Sequence, residues 1–207
     1  MKKTLSIALV LIMALSLFAC AGSSPSPTEV TNDFLQAIKD KDDDTIKTVY
    51  ADGSMNVEKE FENMSESEND TISKVYAEKL YGQILSFDYE VSNEQVKDDT
   101  ATVDVAITTY SIGEAFKDFV TDYIGEAFAM SMSGASDEEL DQKATEIITE
   151  KLDGIKKDYT QTVTLSLSQK DGEWMVDKLA DDSDFYNAIS GGALDATKEI
   201  EESFDFQ

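Results

Sequence analysis

The hydrophobic pattern of this chain switches repeatedly between two periods, and the order of the switches constrains its fold. Apolar residues recur at helical spacing up to about residue 82, alternate with polar residues over 85–110, return to helical spacing over 111–157 and alternate again over 160–179. The sequence therefore predicts an α+β fold. N-terminal helices pack on an antiparallel sheet, and a helical hairpin is inserted between two strand pairs.

The first helix is marked by its start signals. Ser26 and Glu29 have the spacing of a capping box, and Pro27 occupies the first helical position. We expect this helix over residues 28–39 and a second, short helix over 46–50. The buried face of the first helix is predicted to consist of Val30, Phe34, Ala37 and Ile38.

Longer helical patterns follow. Two further apolar faces lie over residues 57–64 and 72–82, and the inserted hairpin, residues 111–157, carries two apolar stripes separated by a break at 132–135. We expect the two stripes to pack on each other and on the sheet. Capping boxes are predicted at the start of both hairpin helices, Ser111 with Glu114 and Ser136 with Glu139.

The alternating runs predict two β-hairpins. The first spans residues 85–110 and turns at 98–99, and the second spans 160–179 and turns at 171–172. The second turn is Asp-Gly, a dipeptide that accepts the positive φ angles of a type I′ turn.

The charge of the chain excludes several functions. It has 43 acidic residues against 17 basic ones, a net charge of −26, and its basic residues are all lysines. Such a surface repels nucleic acid phosphates, so no nucleic acid partner is expected. Because there is no histidine, Ser-His-Asp and Cys-His catalysis and His-based zinc sites are excluded. No Gly-rich phosphate loop is present, and we expect no cofactor or metal.

The N-terminal segment has the order of a secretory signal. Lys2 and Lys3 precede an apolar run over 5–18, which falls short of the roughly 20 residues that a spanning helix needs. The sequence Leu17-Phe18-Ala19-Cys20 resembles the cleavage site of bacterial lipoproteins. The resemblance implies cleavage before Cys20, a lipid on its sulfur, and a membrane anchor on the extracytoplasmic face. The alternative is a plain secreted protein.

The predicted domain organisation follows from these patterns. Residues 1–19 form the signal peptide, 20–27 a lipidated flexible spacer rich in Ser and Pro, 28–180 one α+β domain with its insertion at 111–157, and 181–207 a helical tail.

Two stretches carry a resemblance to a known family. The helix over 27–39, with the short helix ending at Val49-Tyr50, is similar to the opening of nuclear-transport-factor-2-like (cystatin-like) domains. The turn over 171–174 and its return strand resemble their closing hairpin. The resemblance covers 28–179 without the helical hairpin, which departs from the minimal fold. It implies a cone of curved sheet backed by helices, whose interior is a ligand pocket, sometimes catalytic, or whose sheet face is a dimer surface.

Four aromatic residues on or near the predicted sheet could line such a pocket, although core packing is the favoured interpretation. They are Tyr89, Tyr110, Tyr159 and Trp174.

Acidic residues offer two further hypotheses. Asp40, Asp42 and Asp44 have the first spacings of a calcium loop but lack its later glycine and glutamate, so a solvated turn is favoured. Asp88 and Asp104 lie on strands, where a carboxylate and a tyrosine could form a metal-free acid–base enzyme.

The favoured function is a membrane-anchored, noncatalytic binding or scaffold domain for a small molecule or an envelope protein. The alternatives are that enzyme, or a structural envelope protein.

Overall fold

The structure, a computed structural model, describes residues 24–55 and 79–204. Cys20 and the predicted signal over 1–19 lie outside the described residues, so the lipid anchor stays a prediction. The helical faces predicted over 57–64 and most of 72–82 also lie outside them.

Two helices open the described chain, as predicted. Helix α1 spans Pro27–Asp40 and helix α2 spans Asp43–Val49. The capping box of α1 is confirmed, because the Glu29 amide donates to Ser26 Oγ at 3.2 Å and the Ser26 amide donates to Glu29 Oε2 at 2.8 Å. The predicted apolar face is buried: Val30, Phe34, Ala37 and Ile38.

Four antiparallel strands form one sheet in the order β1-β2-β3-β4. Their bounds are Asp88–Lys97 for β1, Thr100–Thr109 for β2, Tyr159–Lys170 for β3 and Glu173–Val176 for β4. The sheet thus confirms the α+β class and both predicted hairpins. The second hairpin turn is confirmed in detail, with φ of 54° at Asp171 and 87° at Gly172.

The first strand begins later than the sequence predicts. Residues 79–85 are helical, so the predicted helix end near Gly82 and the predicted strand start at Leu85 are both wrong. Phe87 lies between helix and strand and is fully buried in the main core. Burial of this large apolar side chain, together with a hydrogen bond from Lys39 Nζ to the Phe87 carbonyl at 2.7 Å, holds the linker against the core.

The main core lies between one face of the sheet and helix α1, together with helix α5, which spans Asp184–Ile189. Alternate residues of the central strands point into it, including Val103, Val105, Val163 and Leu165. The opposite face of β2 and β3 carries threonine, serine and Asp104 and is more exposed. The sheet therefore has one apolar, covered face, and helices α1 and α5 cover it.

The inserted helical hairpin is present, but it packs differently from the prediction. Helix α3 spans Ile112–Met132 and helix α4 spans Asp137–Gly154. They contact chiefly each other and the last helix, α6, which spans Ala193–Phe204, rather than the sheet. The apolar face of the sheet is already covered by α1 and α5, so the hairpin docks beside it. Its outer end is exposed, and Phe128 and Met132 keep 70% and 76% of their surface in solvent.

One of the two capping boxes predicted for the hairpin is wrong. Ser136 and Glu139 form the predicted capping box of α4, and the Ser136 amide donates to Glu139 Oε2 at 2.8 Å. Ser111 makes no side-chain cap, because its hydroxyl donates to Asp158 Oδ1 at 2.7 Å instead. That bond ties the start of α3 to the chain that returns to β3.

The C-terminal region is helical, as predicted, and Gly191 and Gly192 separate α5 from α6. Among the helices that the structure describes, none is both long and apolar enough to cross a membrane.

Candidate binding cleft

A cleft of about 440 Å³ lies where the end of α2, the chain after β4 and the start of α5 meet. Small-molecule sites commonly have volumes of roughly 300–1,000 Å³. The lining combines aromatic, apolar and charged side chains: Tyr50, Asp52, Ser54, Met55, Lys178, Leu179, Asp181 and Tyr186.

Backbone hydrogen bonds bring the two walls of the cleft together. Tyr50 ends α2 in an extended conformation and forms an isolated parallel bridge with Val176, the last residue of β4. The amide of Ala51 donates to the carbonyl of Val176 at 2.9 Å. Three residues beyond Val176, the amide of Leu179 donates to the Tyr50 hydroxyl at 3.0 Å. The chain after α2 therefore runs beside the chain after β4, and the Tyr50 hydroxyl joins them.

A connected series of aromatic rings forms the floor of the cleft. Tyr50 is 2% exposed and stacks on Phe34 of α1, with ring centroids 5.3 Å apart. Phe34 lies 5.8 Å from Phe185, which meets the ring of Tyr186 edge-on at 5.8 Å. These distances are typical of favourable aromatic pairs. The rings that line the cleft are thereby held by the main core.

The rim of the cleft carries two negative charges, from Asp52 and Asp181, and one positive charge, from Lys178. Lys178 Nζ lies 3.1 Å from an Asp52 carboxylate oxygen, and Asp181 adds a second carboxylate to the lining. Among the described residues Asp181 forms no ion pair. Hydrogen bonding and charge attraction from Asp52 raise the pKa of Lys178, and Asp181 contributes in the same direction. The rim thus has one negative charge in excess.

Tyr186 is the most strongly perturbed titratable group of the cleft. Burial raises the pKa of its phenol well above the ordinary value, and Tyr50, Asp181 and Asp52 raise it further. Its hydroxyl is protonated at neutral pH, as an ordinary tyrosine is, and it hydrogen-bonds with Tyr50. The cleft offers a ligand the ring of Tyr186, the side chains of Met55 and Leu179 and a net negative rim.

Two of the four aromatic residues predicted as pocket candidates pack in or against the main core. Trp174 lies on β4 and is 9% exposed within that core. Tyr89 lies on β1 and packs against the core, with its ring 6.0 Å from Phe87 and the ammonium of Lys39 5.6 Å from its centroid. Neither residue lines the cleft.

The other two candidates lie at the end of β2 and the start of β3. Tyr110 directly follows β2, and Tyr159 begins β3. The Tyr159 hydroxyl donates to Gln161 Oε1 at 2.7 Å and accepts from Asn187 Nδ2 at 3.3 Å. Burial, followed by the charge of Asp195, raises the pKa of Tyr159. The structure thus does not bring the four candidates together.

The three aspartates considered as a calcium loop make local contacts at the junction of α1 and α2, where Asp40 accepts from Gln36 at 2.8 Å. Asp42 caps α2, accepting from the Thr45 amide at 3.1 Å and from its hydroxyl at 2.6 Å, and these bonds lower the pKa of Asp42. Asp44 pairs with Lys47 at 3.0 Å. Across the described ranges, no group of three or more Asp or Glu side chains is arranged to hold a metal ion.

The strand carboxylates considered for acid–base chemistry are both paired outside the cleft. Asp88 contacts the ammonium of Lys157 at 2.6 Å, which lowers the pKa of the carboxyl. Asp104 accepts from Asn93 at 3.0 Å and from Thr164 at 2.7 Å, and these bonds lower its pKa as well. Neither carboxylate lies beside a tyrosine of the cleft.

Two further cavities lie around the helical hairpin. One, of about 410 Å³, is lined mainly by charged residues of α3 and α4 and the chain after α4, including Glu114, Asp118 and Lys151. The other is small, about 160 Å³, and lies among α3, α4, α6 and the helical residues 79–85. Neither combines aromatic faces with charged groups.

Comparison with models of protein families, with curated proteins and with solved structures finds no match for this chain.

The residues of the cleft carry little local signal in the sequence. Tyr50 is predictable as part of the apolar face of α2, and Leu179 as part of the return strand. Asp52 and Lys178 are 126 residues apart, and no spacing rule joins them. Tyr186 is one of several aromatic residues in an acidic tail.

Proposed function

We propose that this chain is an extracytoplasmic lipoprotein whose domain binds a small molecule, without catalysis, in the cleft between Tyr50 and Tyr186. The observation that carries the proposal is the cleft itself, since its volume and mixed lining are those of a ligand site. The N-terminal sequence that ends at Cys20 supports the membrane anchor.

The arrangement around the cleft also supports a finer fold assignment. Helix α1 lies behind an antiparallel sheet, and the cleft lies at the end of the layer between them. A cystatin-like cone would have its pocket in this layer. We include that cone in the proposal, with the helical hairpin as an addition beside it.

The titratable groups of the cleft and of the strands favour a binding domain without catalysis. The protonated Tyr186 phenol is a poor base near neutral pH, and the carboxylates of the rim are not buried. Asp88 and Asp104, with lowered pKa values, are paired elsewhere. An aromatic floor with a polar rim supports binding better than proton transfer.

Ligand binding is tested with indole as a neutral probe. Amide NMR shifts on titration should map to the cleft, at residues such as Asp52, Leu179 and Tyr186. Ser54→Trp fills the cleft and should abolish these shifts, whereas Ser166→Trp, on the exposed face of the sheet, should leave them. Shifts confined to the helical hairpin would refute the cleft as the site.

The anchor is tested separately by feeding radiolabelled palmitate to the producing bacterium. The native chain should take up label and Cys20→Ala should not, while Ser23→Ala serves as the matched control. A native chain that carries no label would refute the lipid.

A further inference from the structure

We propose that the cleft between Tyr50 and Tyr186 selects ligands that carry an ammonium group on an apolar or aromatic stem. This inference rests on the proposed function and specifies the chemical class of the ligand. Its basis is the lining of the cleft, in which two carboxylates and one ammonium surround aromatic rings.

The charges of the rim leave one carboxylate available. Lys178 neutralises Asp52 at 3.1 Å, and the carboxylate of Asp181 lines the same cleft without an ion-pair partner among the described residues. A ligand ammonium at this rim would gain a charged hydrogen bond to Asp181. A carboxylate or phosphate there would be repelled, both by Asp181 and by a surface with net charge −26.

The aromatic floor favours the same ligand. The ring of Tyr186 lines the cleft beside Met55 and Leu179, and it is held by Phe185, while the buried ring of Tyr50 packs behind it on Phe34. An apolar stem packs on these side chains, and the negative face of an aromatic ring attracts a cation. The apolar stem of the ligand would thus contact the aromatic and apolar side chains, and its ammonium group would contact the carboxylate beside them.

The titration behaviour of the cleft agrees with this geometry. The hydrogen bond to Asp52 and the charge of that carboxylate raise the pKa of Lys178, and Asp181 adds a smaller contribution in the same direction. The raised pKa of Tyr186, after its burial, reflects in part the same two carboxylates, which disfavour a phenolate. Both shifts have the two rim carboxylates among their causes, in agreement with the lining of the cleft.

The test compares three probes of similar size and different charge. Phenethylamine is cationic, 2-phenylethanol is neutral and 3-phenylpropanoate is anionic at neutral pH. Each is titrated into the full-length chain in dodecyl maltoside micelles, and amide NMR shifts of cleft residues give the affinity. We expect phenethylamine to bind about three- to five-fold more tightly than 2-phenylethanol, and 3-phenylpropanoate to bind most weakly.

Two variants with the same net charge isolate the rim. Asp181→Asn should remove the preference for phenethylamine, while Asp141→Asn, on the exposed surface of α4, should retain it. If Asp181→Asn fails to fold, which amide shifts outside the cleft reveal, Asp52→Asn replaces it and should also reduce the preference. Raising the salt concentration should reduce the preference, because rim charges are screened.

The outcomes separate this inference from the proposed function. Equal binding of the three probes in the cleft would overturn the ammonium preference and leave the cleft as a binding site. An equal loss of preference in Asp141→Asn would also overturn it, since the effect would then come from overall charge. Binding of none of the probes in the cleft, together with no indole shifts there, would overturn both.

Discussion

At the residue scale, the tightest constraint lies where the loop between α5 and α6 meets the start of α3. Gly191 has φ +61°, and a Cβ built on it overlaps the carbonyl oxygen of Tyr110. Its own carbonyl accepts from the amide of Gly113 at 2.9 Å. Because the contact is between backbones, rotation of a side chain cannot relieve an added methyl group.

We therefore expect Gly191→Ala to lower the free energy of unfolding by about 3 kcal/mol or more, the sum of left-handed strain and overpacking. Urea denaturation measures the change. Gly125→Ala is the control, because nothing lies near its added Cβ and alanine favours the helix by about 1 kcal/mol. A similar small effect of both substitutions would show that the loop does not approach α3 this closely.

A second residue-scale prediction concerns Tyr186 at alkaline pH. Its pKa is raised in the folded state, so the native protein holds this proton more tightly than the unfolded chain. That stabilisation is complete below the unfolded tyrosine pKa of about 10 and is lost as pH rises towards the folded value.

The free energy of unfolding of the native protein should therefore fall above about pH 10, and that of the Tyr186→Phe variant should fall less steeply. Tyr89 and Tyr159 also have raised pKa values and contribute to the decline in both proteins, so the difference between them isolates Tyr186. Denaturation series at several alkaline pH values give the two slopes. Identical slopes would contradict the raised pKa.

At the element scale, one buried amide joins three elements near the start of β3. Asn187 of α5 is 4% exposed, and its Nδ2 donates to Gln161 of β3 at 3.1 Å and to Asp195 of α6 at 2.8 Å. Its Oδ1 accepts from the Asp195 amide at 3.1 Å. These bonds fix both C-terminal helices on the sheet.

Asn187→Leu should lower the free energy of unfolding by about 1–3 kcal/mol, because it leaves buried polar partners without hydrogen bonds. Gln142→Leu makes a comparable change at an exposed position of α4 and should alter stability by less than about 0.5 kcal/mol. Chemical denaturation compares the two variants. Equal effects would mean that the amide is replaceable by any side chain of its size.

The sequence predicts well those caps and turns whose interacting residues are close together in the chain. The cap at Ser26 and the turn at 171–172 are confirmed because their partners lie within three residues. The cap at Ser111 is wrong because Asp158, 47 residues away, takes its hydroxyl. The cleft depends on the same kind of distant pairing, between Asp52 and Lys178, and no local pattern encodes it.

At the scale of the whole molecule, the charge of −26 opposes the compact state. Seven ion pairs are formed among the described residues, and the whole chain has only 17 lysines for its 43 acidic side chains, so lysines cannot neutralise most of them one to one. The acidic residues of α6 illustrate the cost, since Glu201 and Glu202 lie in its last turns, where the helix dipole disfavours negative charge.

Added salt should therefore stabilise this protein. The screening length falls from about 30 Å at 0.01 M salt to about 10 Å at 0.1 M, so repulsion between distant carboxylates weakens first. We expect the free energy of unfolding to rise over this range, measured by thermal or urea denaturation in sodium chloride. A triple variant, Asp141→Asn with Glu201→Gln and Glu202→Gln, should be more stable at low salt and respond less to salt. An equal response of both proteins would indicate that salt acts by ion-specific effects and not by screening of these charges.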